Sequence, residues 1–478
     1  MVCRVGKRRL VTLSQGAWRA PATNAAPFGD SISAQNFGSS PYEAHGYLIA
    51  ANALMGWPMT IVANGGVSGN TTTQMLARLD QFLIDNASIG TLLILGGTND
   101  PGASISSATT IANLQAMYAL CRLRRVRPVA LTITPRTDQA GSLLTHIQTV
   151  NAAILASTGP VAIADTFTAL ADPSNSSLPY SGSTYDAVHP SAGGAMRIAR
   201  DAIVPALSPL IASNSGAGTS DDLDYREYAS NPMGAGDNAD GTNGWRLNTG
   251  VTGTGPSGWS AAKRNTGVGV ASKSGSAARL VATFSANWDG VGYAVGGDDV
   301  LALGRYDQGW VGSTAYPIGS RRRPTTPNGY HYRVVVGGTS GSTQPTWPTT
   351  EGATVTDGTV TWMCQRTPTA GDKFVATADV SFSGLTSGKW IAPRLILDAR
   401  RTPDNGTYSD GYSLAQQLGS ATDIGLDYAP PFVRLVTPEM TLGSDTLRYL
   451  LARVTVYGQA GGGVTMDVLR ASIRRTSP

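Results

Sequence analysis

A chain of 478 residues is too long for one ordinary hydrophobic core, and implies two to four domains of about 100–200 residues each. Hydrophobic residues make up 41% and charged residues 14%, with 57 Gly and 27 Pro, which argues against disorder and for a turn-rich globular chain with a β-rich, extracellular-type surface. A net charge of +4 is small for this length, and Lys7-Arg8-Arg9 and Arg321-Arg322-Arg323 lack interleaved aromatics, so they read as solvated surface and no nucleic-acid partner is expected.

Cys3, Cys121 and Cys364 are odd in number and far apart, which gives neither a disulfide framework nor a metal site with close ligand spacing. No run approaches the roughly 18 apolar residues that span a bilayer, and Leu10 to Gln15 is too short for a signal h-region. A soluble chain is expected, with no secretion signal and no membrane insertion.

Residues 1–24 read as an N-terminal extension. From there to about Ile211, short apolar runs alternate with amphipathic segments, the pattern of a βαβ sheet. Ala22-Thr23-Asn24-Ala25-Ala26-Pro27 is a poor strand with a proline near its end, so the first strand is expected to be short or irregular. Phe28-Gly29-Asp30-Ser31-Ile32-Ser33 follows, in which Gly29 permits a tight turn and Ser31 would sit near a helix N-terminus.

His45 falls on a predicted helix. Asn64-Gly65-Gly66-Val67-Ser68-Gly69-Asn70-Thr71 is a glycine-rich loop that opens a helix from Thr71 to Asn86, so the Gly69 N–H can point at an anion. Met75, Leu76, Leu79, Phe82 and Leu83 form that helix's apolar stripe.

Leu92 to Leu95 is a continuous apolar strand running into Gly96-Gly97-Thr98-Asn99-Asp100, which places the Asn99 amide at the sheet's C-terminal edge. Val129 to Ile133 and Val161 to Ile163 read as further buried parallel strands, and His146 precedes another helix. Tyr180 and Tyr185, on the loop before Asp186, are candidate substrate-lining aromatics, although loop aromatics commonly serve packing. In Asp186-Ala187-Val188-His189-Pro190 the three-residue offset lets the Asp186 carboxylate orient the His189 imidazole. Ala192 to Leu210 reads as the closing helix.

From Ala212 a polar Gly/Ser stretch reads as a linker over 212–230. Beyond it, residues 231–478 show β alternation between Gly, Pro and Asp turns, at Arg279 to Phe284, Lys373 to Phe382, Arg394 to Leu397 and Tyr449 to Tyr457. An all-β sandwich or jelly roll is expected. Residues 310–366 have their own Thr/Gly/Pro character and read as a small β module inserted in a loop of it. Trp288, Trp310, Trp347, Trp362 and Trp390 are either sugar-stacking platforms of a carbohydrate-binding-like domain or core residues.

Alone, a Gly-Asp-Ser or a glycine-rich turn is ordinary. The four motifs around Ser31, Gly69, Asn99 and Asp186/His189, in this order and on strand ends, make a set suited to acyl transfer. Over residues 25–211 the chain resembles the SGNH (GDSL) hydrolase family. That resemblance implies a flavodoxin-like three-layer α/β sandwich, with Ser31 as nucleophile and His189 as general base oriented by Asp186. It also implies an oxyanion hole from the N–H groups of Ser31 and Gly69 and the Asn99 side chain, with no cofactor and no metal. The chain has no Gly-x-Ser-x-Gly elbow and no His-Glu-x-x-His, which argues against an ordinary α/β-hydrolase and a zinc protease.

The inserted module resembles one seen in bacteriophage tail and tail-fibre proteins, through Asn328-Gly329-Tyr330-His331-Tyr332, Gly337 to Gly341, Pro345-Thr346-Trp347-Pro348 and Asp357 to Trp362. The resemblance implies a virion component, released by lysis, that meets acetylated surface polysaccharide outside the cell, with other tail proteins as partners and a homotrimer as one possible assembly. The alternatives are a short-chain or lipolytic esterase, and a tail adhesin with a vestigial esterase domain.

Overall fold

The computed structural model describes residues 17–37, 45–214, 226–229, 231, 237–239, 242, 245–295, 308–401, 413–418, 425–443 and 447–477. Residues 1–16 of the expected extension, with Cys3 and Lys7-Arg8-Arg9, and residues 215–225 of the expected linker lie outside the described residues. In chain order the elements up to Ile211 are β1 (Asn24–Gly29), α1 (Ser31–Ala34), α2 (Tyr47–Leu54), β2 (Thr60–Ile61), β3 (Gly65–Gly66), α3 (Thr72–Asp85), β4 (Thr91–Leu95), α4 (Ser107–Leu123), β5 (Arg127–Leu131), α5 (Gly141–Leu155), β6 (Ala162–Ala164), α6 (Thr166–Leu170), β7 (Ala171–Asp172), β8 (Asn175–Pro179), α7 (Ala192–Ile198) and α8 (Val204–Leu207). The chain forms two compact units, one of residues 1–34, 59–133 and 141–165, the other of 35–58, 134–140 and 166–478.

The first unit is built on a parallel sheet of spatial order β2-β1-β4-β5-β6, with β3 also pairing β1. Apart from β3, this is the 2-1-3-4-5 order of flavodoxin-like sheets. Every residue of β4 is buried, as a strand covered on both faces requires. Helix α3 starts where its chemistry dictates: Thr71 and Gln74 form a capping box, and Met75, Leu79 and Leu83 are buried on one face.

The expectation of a short or irregular first strand is corrected. β1 runs for six residues in the sheet interior, with Ala25 to Gly29 paired in register to Thr91 to Leu95. Its other edge explains the tolerance of Pro27: β2 covers Asn24 and Ala25, β3 covers Phe28 and Gly29, and that ladder is interrupted at Ala26 and Pro27.

In the second unit the closing helix is less regular than expected. A π-helical stretch, Ala199–Ile203, separates α7 from α8. Pro205 sits just beyond and cannot donate a hydrogen bond back to residue 201, which accounts for the break in regular winding.

The β-rich region forms two sheets. One orders residues 251–253, 268–274, 277–284, 462–475, 373–383 and 433–436; the other orders 413–417, 391–401, 447–458, 289–295, 259–264 and 246–247. Along Ala277–Phe284, buried Leu280, Ala282 and Phe284 alternate with exposed Val281 and Thr283, the period-2 pattern expected from sequence.

Between Asp289–Val295 and Lys373–Ser383, a four-stranded sheet (321–322, 330–336, 360–366, 354–357) has a core of its own, made of Tyr316, Tyr332, Val334, Val360, Trp362 and Cys364. Trp310 and Trp347 pack against that core, and both Trp310 and Trp362 donate to the Asp357 carboxylate. Trp390 is buried, and half-buried Trp288 packs against it at 4.8 Å. Trp362 and Trp390 are therefore buried packing residues, while Trp288, Trp310 and Trp347 pack against neighbours and keep part of their surface exposed.

Arg321 also departs from the solvated surface expected of it. It is fully buried and donates to the Tyr228 carbonyl, because a strand position facing inward needs a polar partner for its guanidinium. Cys121 and Cys364 are buried free thiols. Among the described residues no helix is long and apolar enough to cross a membrane.

Candidate active site

The first unit carries the expected nucleophile and oxyanion donors. β1 and β4 are neighbours, and the chain leaves the carboxyl end of β1 into Ser31 and that of β4 into Asn99. That is the strand pair at which a sheet of this order switches direction, where ligands gather. The two strand ends approach so closely that a Cβ on Gly29 would lie 2.1 Å from the Leu95 carbonyl oxygen, which only glycine allows. Buried Asp30 accepts from the Ile32 N–H at 3.0 Å, turning the chain into the short helix that Ser31 begins.

Asn99 is held from both sides. The next residue, Asp100, is fully buried and accepts from the Thr72 N–H at 2.8 Å, the Thr72 hydroxyl and the Thr110 hydroxyl at 2.6 Å. The Asn99 amide donates to the Asn70 carbonyl at 3.0 Å. Gly69, one residue earlier, has φ +76° and open space where a Cβ would stand, so its backbone is exposed to a ligand.

Arg78, on α3, reaches into the same place. Its Nε donates to Asn70 Oδ1 and its Nη2 to the Gly29 carbonyl, both at 2.7 Å, with the guanidinium 4.2 Å from the centre of the Phe28 ring. Burial lowers its pKa, and the Asp30 carboxylate offsets part of that.

The second unit carries the expected acid–base pair, Asp186 and His189. His189 Nδ1 and Asp186 Oδ2 are 2.7 Å apart, while Asp186 Oδ1 accepts the N–H groups of Val188 and His189, each at 2.7 Å. Burial raises the Asp186 carboxyl, but the hydrogen bonds from the His189 and Val188 backbone and the His189 ring outweigh it and hold the pKa below its ordinary value.

The loop is pinned by its own backbone: Tyr185 N–H donates to the His189 carbonyl at 3.1 Å, Ser191 N–H to Ser183 at 2.8 Å, and Thr137 N–H to Ala187 at 3.0 Å. Ser191 then caps α7. Packing behind it is tight, since a Cβ on Gly194 would meet the Ser183 carbonyl oxygen at 2.0 Å.

The Tyr185 ring, 45% exposed, stacks on His189 at 5.6 Å and 11°, and touches the His45 ring at 4.9 Å. Gln35 donates to its hydroxyl. Tyr180 lies under the Arg197 guanidinium at 3.9 Å, a packing position. His146 and His331 are buried elsewhere, in α5 and in the inserted module.

The predicted residues thus fall into two groups, Ser31 with Gly69 and Asn99 in the first unit, and Asp186 with His189 and Tyr185 in the second. Sequence reasoning did not pick out Arg78, Asn70, Gln35 or the nearness of His45 to Tyr185. No sequence signal marks Arg78; only in the fold does its helix neighbour Phe82, four residues on, pack on Phe28 at 5.3 Å and bring the guanidinium over that ring.

Residues 28–197 match the family model described as the GDSL-like lipase/acylhydrolase family. No curated protein matches the chain. Among solved structures, the chain is similar to a GDSL-like lipase from Bacteroides thetaiotaomicron, with 18% identity, 39% of this chain and 89% of that one covered, and a TM-score of 0.32. A member of the lipolytic G-D-S-L family from Veillonella parvula has 18% identity, coverages of 38% and 96% and a TM-score of 0.31. The acetylxylan esterase Axe2 from Geobacillus stearothermophilus has 19% identity, coverages of 38% and 93% and a TM-score of 0.31.

Proposed function

We propose that residues 28–197, which match the GDSL-like lipase/acylhydrolase family model, form an ester hydrolase domain that works through a Ser31 acyl-enzyme and removes O-acetyl groups from a surface polysaccharide. The observation that carries the chemistry is the Asp186–His189 pair, a carboxylate 2.7 Å from one ring nitrogen, the arrangement that orients an imidazole as a general base. His189 takes the Ser31 hydroxyl proton, Ser31 Oγ attacks the ester carbonyl, and the alcohol leaves with the proton that His189 returns. Water activated by His189 then releases the acid. The N–H groups of Ser31 and Gly69 and the Asn99 amide stabilise the tetrahedral oxyanion.

Asn99→Ala is expected to lower kcat by about 100- to 1,000-fold, the usual effect of losing one oxyanion donor. Steady-state hydrolysis of a short-chain aryl ester reads this directly, and wild-type turnover would remove Asn99 from the site.

The polysaccharide assignment is supported by the partly exposed Trp288, Trp310 and Trp347 of the β-rich second half and by the resemblance of the 310–366 module to phage-tail modules, which together favour a virion tail component acting outside the cell. Acetate release from a panel of acetylated bacterial polysaccharides, with long-chain acyl esters as controls, tests it. Release that vanishes in Ser31→Ala is the expected result. Turnover confined to aryl or lipid esters would overturn the polysaccharide reading and keep the chemistry, and no turnover of any ester would favour an adhesin.

A further inference from the structure

The candidate oxyanion donors sit on separate pieces of chain: the turn after β1, the loop before α3 and the loop after β4. Such donors stabilise a transition state only when their mutual geometry is held before the reaction starts. One side chain reaches all three pieces, two directly and one through a single residue. Arg78 donates through Nη2 to the carbonyl of Gly29, two residues before Ser31, and through Nε to Asn70 Oδ1, one residue after Gly69. Asn70 in turn accepts the Asn99 amide on its backbone carbonyl at 3.0 Å.

The same Gly29 carbonyl also accepts the Val67 N–H at 3.0 Å, which laces the loop to the end of β1, and within the loop the Asn70 N–H donates to the Val67 carbonyl at 3.2 Å. The Phe28 ring lies under the guanidinium, 4.2 Å from its centre to Arg78 Cζ. A planar fork with two donors on one edge can serve two acceptors from different segments. A lysine ammonium, a point charge on a flexible stem, lacks that fixed geometry.

We propose that Arg78 is a positioning residue for the oxyanion site, tying the end of β1 to Asn70 and, through Asn70, to the Asn99 amide. The inference rests on Ser31 as nucleophile and on Gly69 and Asn99 as oxyanion donors. Arg78 touches no reacting atom. Its removal lets the donors drift, and a misplacement of about 1 Å costs on the order of 100-fold in rate.

The test is a double-mutant cycle on the full chain with a short-chain aryl ester, using Arg78→Met, Asn99→Ala and the double variant, with Arg78→Lys in parallel. Arg78→Met is expected to lower kcat by about 10- to 100-fold with KM changed less than about threefold. Affinity for an arylboronic acid, which forms a tetrahedral serine adduct, should weaken alongside kcat. Because part of the effect of Arg78 runs through the Asn99 amide, the double variant should lose less than the product of the two single losses.

Millimolar methylguanidinium, against a matched sodium chloride control, should restore part of the turnover of Arg78→Ala. Should Arg78→Met fail to fold, Arg78→Lys keeps the charge, loses the fork and carries the same cycle. Unchanged kcat in the folded variants, or losses that multiply, would overturn the proposal. Ser31→Ala, run alongside, separates the two ideas: an inactive Ser31→Ala beside a fully active Arg78→Met sinks only the role of Arg78, whereas an active Ser31→Ala removes the catalytic reading and the inference built on it.

Discussion

Ser31→Ala is expected to abolish ester turnover, with kcat falling by roughly 10,000- to 1,000,000-fold, because a nucleophile that acts as a unit with its base leaves only the oxyanion donors and binding to accelerate the reaction. The structural side of the argument lies in β1. Its carboxyl end is fixed by pairing with β4, and the Asp30 turn directs the chain into the helix that Ser31 begins. Alanine fits that turn and keeps its backbone N–H, so the variant should fold as the wild type does. Two measurements check it: aryl ester hydrolysis, and covalent labelling by a fluorophosphonate, with the added mass located on the Ser31 peptide. Turnover within tenfold of wild type, or a label found elsewhere, would place the nucleophile on another residue.

Asp186→Asn is the second large effect expected, a fall in kcat of about 10,000-fold with little change in KM. Asp186 uses both oxygens: Oδ1 accepts two backbone N–H groups and Oδ2 faces His189 Nδ1. An asparagine can keep the Oδ1 bonds but then presents an NH2 group to Nδ1, which favours the tautomer carrying its proton on Nε2, where a base needs a lone pair.

The pH dependence follows from the same contacts. A carboxyl held below its ordinary value of 3.8 stays ionised at and above that pH, and its contribution to stability is present above the unfolded pKa and lost as pH falls through the folded one. Protonation of Asp186 should therefore not set an acid limb of the rate profile above about pH 4. A profile recorded from pH 4 to 9 on wild type and Asp186→Asn checks this, and near-wild-type turnover in the variant would remove Asp186 from the mechanism.

Local chemistry decided much of the first 211 residues. The Thr71–Gln74 capping box, the Met75, Leu79 and Leu83 face and the unbroken apolar run of β4 each depend on neighbours a few residues away, so their structure was readable in the chain itself. The Asp186–His189 contact belongs with them, since three residues of one turn bring the two side chains together.

What the chain alone did not reveal depends on groups distant in sequence. Pro27 is harmless in β1 only because β2 and β3 leave a gap beside it, a fact of sheet pairing. Arg78 looks like any polar residue of an amphipathic helix until folding brings the Gly29 carbonyl, 49 residues away, within 2.7 Å. Tyr185 and His45 meet as rings across 140 residues, and Trp310 and Trp362 become packing residues because they converge on Asp357 and a shared module core. Sequence determined the local elements and marked the candidate residues of the proposed site; tertiary structure decided which side chains surround them, because burial and hydrogen-bond partnership are properties of the folded surroundings.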